Sequence, residues 1–210
     1  MAPDHGHETP SAPPTTPLVV VLTGPSGVGK DAVVNRAQER GANIVRPPTM
    51  TTRTPRAGEV EGIHHYFVTR EEFLAQLTAG ELLEHAEVYG NLYGVPRRSV
   101  RAALATGDHV IIRVDVQGAE SLHELLPGAL FIALEPSSNG ALRDHLEGRA
   151  SETTEQVERR LAIAADEIRR ARAFCRPLEN VEGDLDATVD AFLQMIEDEH
   201  RRDDRASFEV

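Results

Sequence analysis

Apolar positions along the chain fall into short blocks whose spacing alternates between two periods. Residues 18–22 (LVVVL) form a continuous apolar run, a glycine-rich turn follows, and apolar positions then recur at helical spacing over 30–40 until Gly41. That is strand, loop, helix. A second strand is expected over 43–46, and the Thr, Pro and Gly content of 49–62 (TMTTRTPRAGEVEG) reads as a loop. Residues 64–68 read as a short strand. Thr69 with Glu72 makes a capping box ahead of a helix over 71–79 that Gly80 closes. Residues 82–90 read as a strand and 97–106 as a helix stopped by Gly107. The runs 109–116 and 129–135 are apolar strands on either side of a helix over 118–126. From 137 onward the pattern is mostly helical, to about 148 and then over 155–174 and 185–199, with a polar stretch at 150–154. A strand expected near 175–181 contains Pro177, which lacks a ladder donor and confines it to a sheet edge or an irregular segment. Strands alternating with helices imply an α/β fold, a parallel sheet flanked by helices.

Composition narrows the setting. With 210 residues, 40% hydrophobic and 27% charged, the chain holds one sizeable core and one domain. Residues 1–17 carry five prolines and no apolar periodicity, which predicts a disordered arm, and 200–210 read as a charged tail. A net charge of −12 excludes long-range attraction to nucleic acid or an anionic membrane as the primary activity, so any anionic substrate must meet a local cluster of positive charge. The single cysteine, Cys175, makes neither an intrachain disulfide nor a zinc quartet, and a reducing cytoplasm is the expected location. The run 18–22 is far shorter than the roughly 20 residues a membrane span needs, so neither a signal peptide nor a transmembrane helix is expected.

Lys30 is the only lysine among 22 basic residues. Gly24, Gly29 and Lys30 satisfy G-x4-G-K, with Pro25, Ser26, Gly27 and Val28 between the glycines, at the end of a strand and the start of a helix. In that context backbone N–H groups cradle phosphates and the lysine neutralises the β- and γ-phosphates of a nucleotide. The next position in such motifs is a Ser or Thr that ligates Mg²⁺; here it is Asp31. Its carboxylate either ligates Mg²⁺ or interacts with the helix macrodipole, leaving the metal to water. Arg53 and Arg56 place two permanently charged forks three residues apart, which suits a phosphate monoester.

The strings TTRTPRAGEVEG, ELLEHAEVYGNLYGVP and VDVQGA, behind GPSGVGK, resemble the guanylate kinase family over residues 18–192. The resemblance implies a P-loop NTPase core, a GMP-binding region at 49–99 and a helical lid at 136–160. It also implies transfer of the γ-phosphate of ATP, with Mg²⁺, to GMP and dGMP. Residues 24–31 and Asn180 would then serve ATP. Arg53, Arg56 and Tyr93 would hold the GMP phosphate, and Thr49, His65, Glu84 and Asp115 would complete the GMP site. Lys30, Arg53, Arg149 and Arg160 would neutralise charge during transfer. Chemistry supports Glu84, because guanine N1–H and the N2 amino group are adjacent donors where adenine offers an acceptor. Asp115 follows an apolar strand, so its carboxylate is expected at the strand's C-terminal end near the P-loop.

Four positions depart from the family pattern: Asp31 for the P-loop hydroxyl, His65 for a tyrosine with Tyr66 one residue late, Val95 for a hydroxyl residue, and His145 for a lid arginine. Monomer and homodimer are both compatible with the resemblance, and neither nucleic acid nor membrane is an expected partner. Two other readings are a ribose 1,5-bisphosphate phosphokinase, a group whose P-loop also carries GKD, and a non-catalytic phosphopeptide-binding module. Glu84 and the complete TTRTPR oppose the first; Lys30 and both motif glycines oppose the second.

Overall fold

The computed structural model describes residues 16–88, 90–138, 140, 142–143, 154–202, 204, 206 and 210. Its central element is β1 (Val19–Thr23), all five residues of which are buried. Such a strand must be covered on both faces, and the two cores that cover it follow its alternation. Val20 and Leu22 pack with Val33, Val34, Phe192 and Ile196, whereas Val19 and Val21 pack with Val100, Val116, Leu122 and Phe131. β7 (His109–Arg113) and β8 (Leu130–Pro136) pair with β1 in parallel on either side. β2 (Ile44–Val45) and β9 (Arg176–Asn180) form the edges of this sheet, giving the order β2-β7-β1-β8-β9. Every pairing in it is parallel, so the C-terminal ends of all five strands lie along one rim. Pro177 sits on the edge strand β9, where a missing N–H costs no ladder bond on the open side.

Around the sheet lie α1 (Lys30–Glu39), α3 (Arg97–Leu104), α4 (Val116–Leu125), α5 (Thr154–Ala171) and α6 (Leu185–His200). Among the described residues no helix is long and apolar enough to cross a membrane. A second sheet of order β4-β3-β6-β5 comprises β3 (Thr49–Thr51), β4 (His65–Phe67), β5 (Leu82–Val88) and β6 (Asn91–Pro96). It packs on α2 (Arg70–Thr78) through Met50, Phe73, Leu82 and Leu92, and the Thr69/Glu72 capping box opens that helix.

Three expectations are corrected. Thr49–Thr51 is not loop but the inner strand β3, parallel to β4 and antiparallel to β6, because its β-branched threonines find ladder partners on both sides. The strand expected over 82–90 is one arm of a hairpin whose second arm, β6, its glycine and proline content hid. Gly94 stands mid-strand because a Cβ there would meet Leu82 Cδ1 at 2.9 Å and Phe73 Cζ at 3.0 Å. α4 starts at Val116 rather than at 118, since Asp115 caps it by accepting from the Gly118 N–H at 2.8 Å. Residues 1–15 and 144–153, and with them most of the expected arm, His145 and Arg149, lie outside the described residues.

Candidate active site

The rim formed by the strand ends carries the phosphate loop. Two glycines shape it. At Gly24, φ is +139° and a Cβ would lie 2.2 Å from the Leu134 carbonyl oxygen. Gly29, at φ +97°, would meet Asn180 Nδ2 at 2.9 Å, and it caps α1 without a side chain over the first N–H groups. The Lys30 ammonium donates to the carbonyl oxygens of Gly24 and, at 3.0 Å, Pro25. Burial, and then the nearby Arg113 guanidinium, lower its pKa to about 8. The Glu167 and Asp115 carboxylates act in the opposite sense, so the ammonium sits among charges of both signs.

Asn180 braces the loop: its Nδ2 donates to the Val28 carbonyl at 2.9 Å and its Oδ1 accepts from Thr188 at 3.1 Å. Arg160, on α5, reaches Ser26 Oγ at 3.1 Å. Arg169, nine residues further along the same helix, pairs with Asp166 instead. Asp31 does not face open solvent alone. Its Oδ1 pairs with Arg46 Nη1 at 3.3 Å and with Arg113 Nη1.

Beyond Lys30 opens a cavity of about 300 Å³ whose walls include Thr49, Arg53, Arg56, His65, Glu84, Tyr93, Val95, Arg113 and Asp115. The two sheets thus bring the acceptor-site residues named from the sequence to one place beside the P-loop lysine. Glu84 lies at its floor, 8% exposed, opposite Val95 on the neighbouring strand. Burial and then the Asp115 carboxylate push its pKa up to about 7. Among the described residues no hydrogen bond donor reaches this carboxyl. Gly118 leaves the room for it, since a Cβ there would stand 2.8 Å from Glu84 Oε1.

Arg53 is held in place by Glu59, which accepts from Nη1 at 2.7 Å and Nη2 at 2.5 Å and also from the Arg56 backbone N–H at 2.8 Å. The Arg53 guanidinium, first among these donors, holds the Glu59 carboxyl down at about 2. Tyr93 lines the same cavity as Arg53, and Arg56 is exposed. Arg53 Nη2 lies 3.3 Å from His65 Nε2 and only donates, so Nε2 accepts and His65 Nδ1–H donates to Thr49 Oγ1 at 2.7 Å. Burial and the Arg53 charge lower the His65 pKa, which favours the neutral ring.

Sequence reasoning passed over Arg46, Glu59 and Arg113. A charged residue ending the apolar run 109–113 was the signal for Arg113, and a carboxylate three residues after Arg56 was the signal for Glu59. No local pattern marks Arg46.

The family model of guanylate kinase matches residues 16–199. The chain is 42% identical over 191 residues to a rice (Oryza sativa subsp. japonica) protein named guanylate kinase 2, chloroplastic/mitochondrial, covering 90% of this chain and 67% of that one. It is 38% identical over 188 residues to the guanylate kinase of Halalkalibacterium halodurans, covering 90% and 91% of the two chains. The crystal structure of guanylate kinase from Anaplasma phagocytophilum superposes with a TM-score of 0.70 at 34% identity over 91% of this chain and 90% of that one. A P-loop on a parallel sheet, a cavity beside its lysine and these matches along nearly the whole length lead to one conclusion: the chain belongs to the guanylate kinase family.

Proposed function

We propose that this protein transfers the γ-phosphate of ATP to GMP, and to dGMP, giving ADP and the nucleoside diphosphate. The observation that carries the acceptor assignment is Glu84, a buried carboxyl with no donor among the described residues, on the floor of a cavity whose mouth holds Arg53, Arg56 and Tyr93. Guanine supplies the two missing donors, N1–H and the N2 amine. Thr49 accepts from His65, which leaves its own hydroxyl hydrogen for a guanine acceptor. The monophosphate then lies towards Arg53, Arg56 and Tyr93, and the ATP phosphates lie on residues 24–30 with Lys30. The region 49–99 is the acceptor-binding region in this reading, and 136–160, with Arg149, is the lid.

No general base is needed, because the attacking phosphate oxygen is already anionic. Positioning and charge neutralisation do the work. Glu59 presents Arg53 preformed, Asn180 keeps the loop in shape, and Arg160 extends a cation across Ser26 towards the donor phosphates. The magnesium ion expected with ATP finds a poor fit in the protein. Among the described residues no three His, Cys, Asp or Glu side chains converge, and the Asp31 carboxylate is engaged by two guanidinium groups. With Asp31 so engaged, magnesium bound with ATP would take its ligands from phosphate oxygens and water. The chain's one cysteine, Cys175, is buried, which suits a reducing, cytoplasmic setting.

A coupled assay of ADP release over GMP, dGMP, AMP, CMP, UMP and ribose 1,5-bisphosphate tests the reading. GMP and dGMP are expected to be the preferred acceptors. Arg53→Ala should raise the GMP KM and lower kcat, losing one charge-assisted contact of about 1.5 to 3 kcal/mol. Turnover of the sugar bisphosphate in preference to GMP, or no turnover of any acceptor, would refute it.

A further inference from the structure

We propose that Arg113, oriented by Asp31, is a phosphate-binding residue at the junction of the donor and acceptor sites, and that Asp31 serves this arginine rather than a metal. This rests on the reading of the chain as a GMP kinase. Arg113 ends β7, its backbone registered against Leu22 just ahead of the P-loop. Its side chain forms part of the wall of the Lys30/Glu84 cavity and also of a second cavity of about 380 Å³ bounded by Asp31, Arg46, Arg53 and His65. It therefore stands between the P-loop lysine and the arginines of the acceptor phosphate.

One carboxylate, Asp31, faces two guanidinium groups, so the cluster keeps a net positive charge. Asp31 engages Nη1 of Arg113, which leaves the remaining donors of a five-donor fork for another anion. A third of the Arg113 side-chain surface is open, so a ligand can reach it. Lys30 and Arg113 act on each other as like charges, partly offset at Lys30 by the Glu167 and Asp115 carboxylates, and an anion lying between the two cations is attracted by both. The transferring phosphoryl group, passing from the Lys30 side to the Arg53 side, is that anion. Asp31 follows Lys30 directly at the start of α1, so it couples the position of the fork to that of the loop. In this scheme Arg113 touches the reacting phosphate oxygens and Asp31 is a positioning residue.

The test compares wild type, Arg113→Met, Arg113→Lys, Asp31→Asn and the double variant Asp31→Asn/Arg113→Met in steady-state kinetics with ATP and GMP, each with a Mg²⁺ titration and a thermal melt. Arg113→Met should lower kcat on the order of 10²-fold, as expected for losing a preorganised charge at the transferring group. Arg113→Lys, which keeps a charge but loses the fork, should fall between. Asp31→Asn should lower kcat roughly tenfold in the Arg113 background and have no further effect in the Arg113→Met background, a coupling that adjacent residues acting as a unit show. The Mg²⁺ concentration for half-maximal activity should stay unchanged in Asp31→Asn. Wild-type kcat in Arg113→Met overturns the proposal, as does an Asp31→Asn effect that persists undiminished in the double variant or moves the Mg²⁺ requirement. If Arg113→Met does not fold, Arg113→Lys decides: wild-type kcat overturns the proposal, and reduced kcat with an intact melt supports it. An inactive wild type would instead refute the GMP kinase reading.

Discussion

Glu84→Gln separates the stability of the fold from the chemistry of the site. In the folded protein the carboxyl titrates at about 7 instead of 4.5, chiefly because it is buried. The folded state thus binds the proton more tightly than the unfolded chain, and stability must fall as pH rises between these two values. At about 1.36 kcal/mol per pH unit the full penalty above pH 7 is about 3 kcal/mol, and about 2 kcal/mol of it accumulates between about pH 5 and about pH 8. Glutamine has no such charge to bury. Urea denaturation of both proteins at the two pH values should show the variant gaining roughly 2 kcal/mol on wild type as pH rises, or roughly 4 to 8 °C in Tm. Taking the pH difference cancels any fixed effect of the new amide. The same variant should lose the GMP over AMP preference by about 10² or more, because the site no longer offers a carboxylate to two donors. On the proposed guanine contact, GMP binding recruits the ionised carboxyl, so GMP affinity should rise with pH up to about 7 by a component absent from Glu84→Gln. Parallel pH–stability curves for the two proteins would refute the burial argument; an unchanged GMP/AMP ratio would place guanine elsewhere.

Two further outcomes are expected. Gly24→Ala drives a methyl into the Leu134 carbonyl oxygen, 2.2 Å away, at a φ of +139°. A backbone obstacle cannot rotate aside, so thermal melts should show a loss of at least about 1 to 3 kcal/mol and ATP binding should weaken markedly. Cys175, whose thiol burial pushes up to about 12, should react with a thiol-selective disulfide reagent only after denaturation; rapid labelling of the native protein would contradict its burial.

What the sequence determined by itself was what short-range physics encodes. The apolar run into G-x4-G-K, the Thr69/Glu72 capping box and the helix stops at Gly41, Gly80 and Gly107 are each written within a few residues, because strand and helix periods and cap geometry are local. The family motifs were legible for the same reason: each is a contiguous string of residues, although most of them turned out to lie on strands and at a helix start rather than in loops. The second sheet was not. β3 becomes a strand only when β4 and β6 flank it, and the Gly94 arm only when Phe73 and Leu82 close on it. Tertiary structure also chose among equivalent residues. Arg160 and Arg169 lie on one basic helix, yet packing brings Arg160 to Ser26 and leaves Arg169 to Asp166. Asp31 was a metal ligand or a helix-start charge in the sequence, and the register of β7 on β1 supplied the partner, Arg113, that neither reading contained. Such pairs join distant segments, and their meeting depends on sheet register and helix packing summed over the whole core rather than on any local pattern.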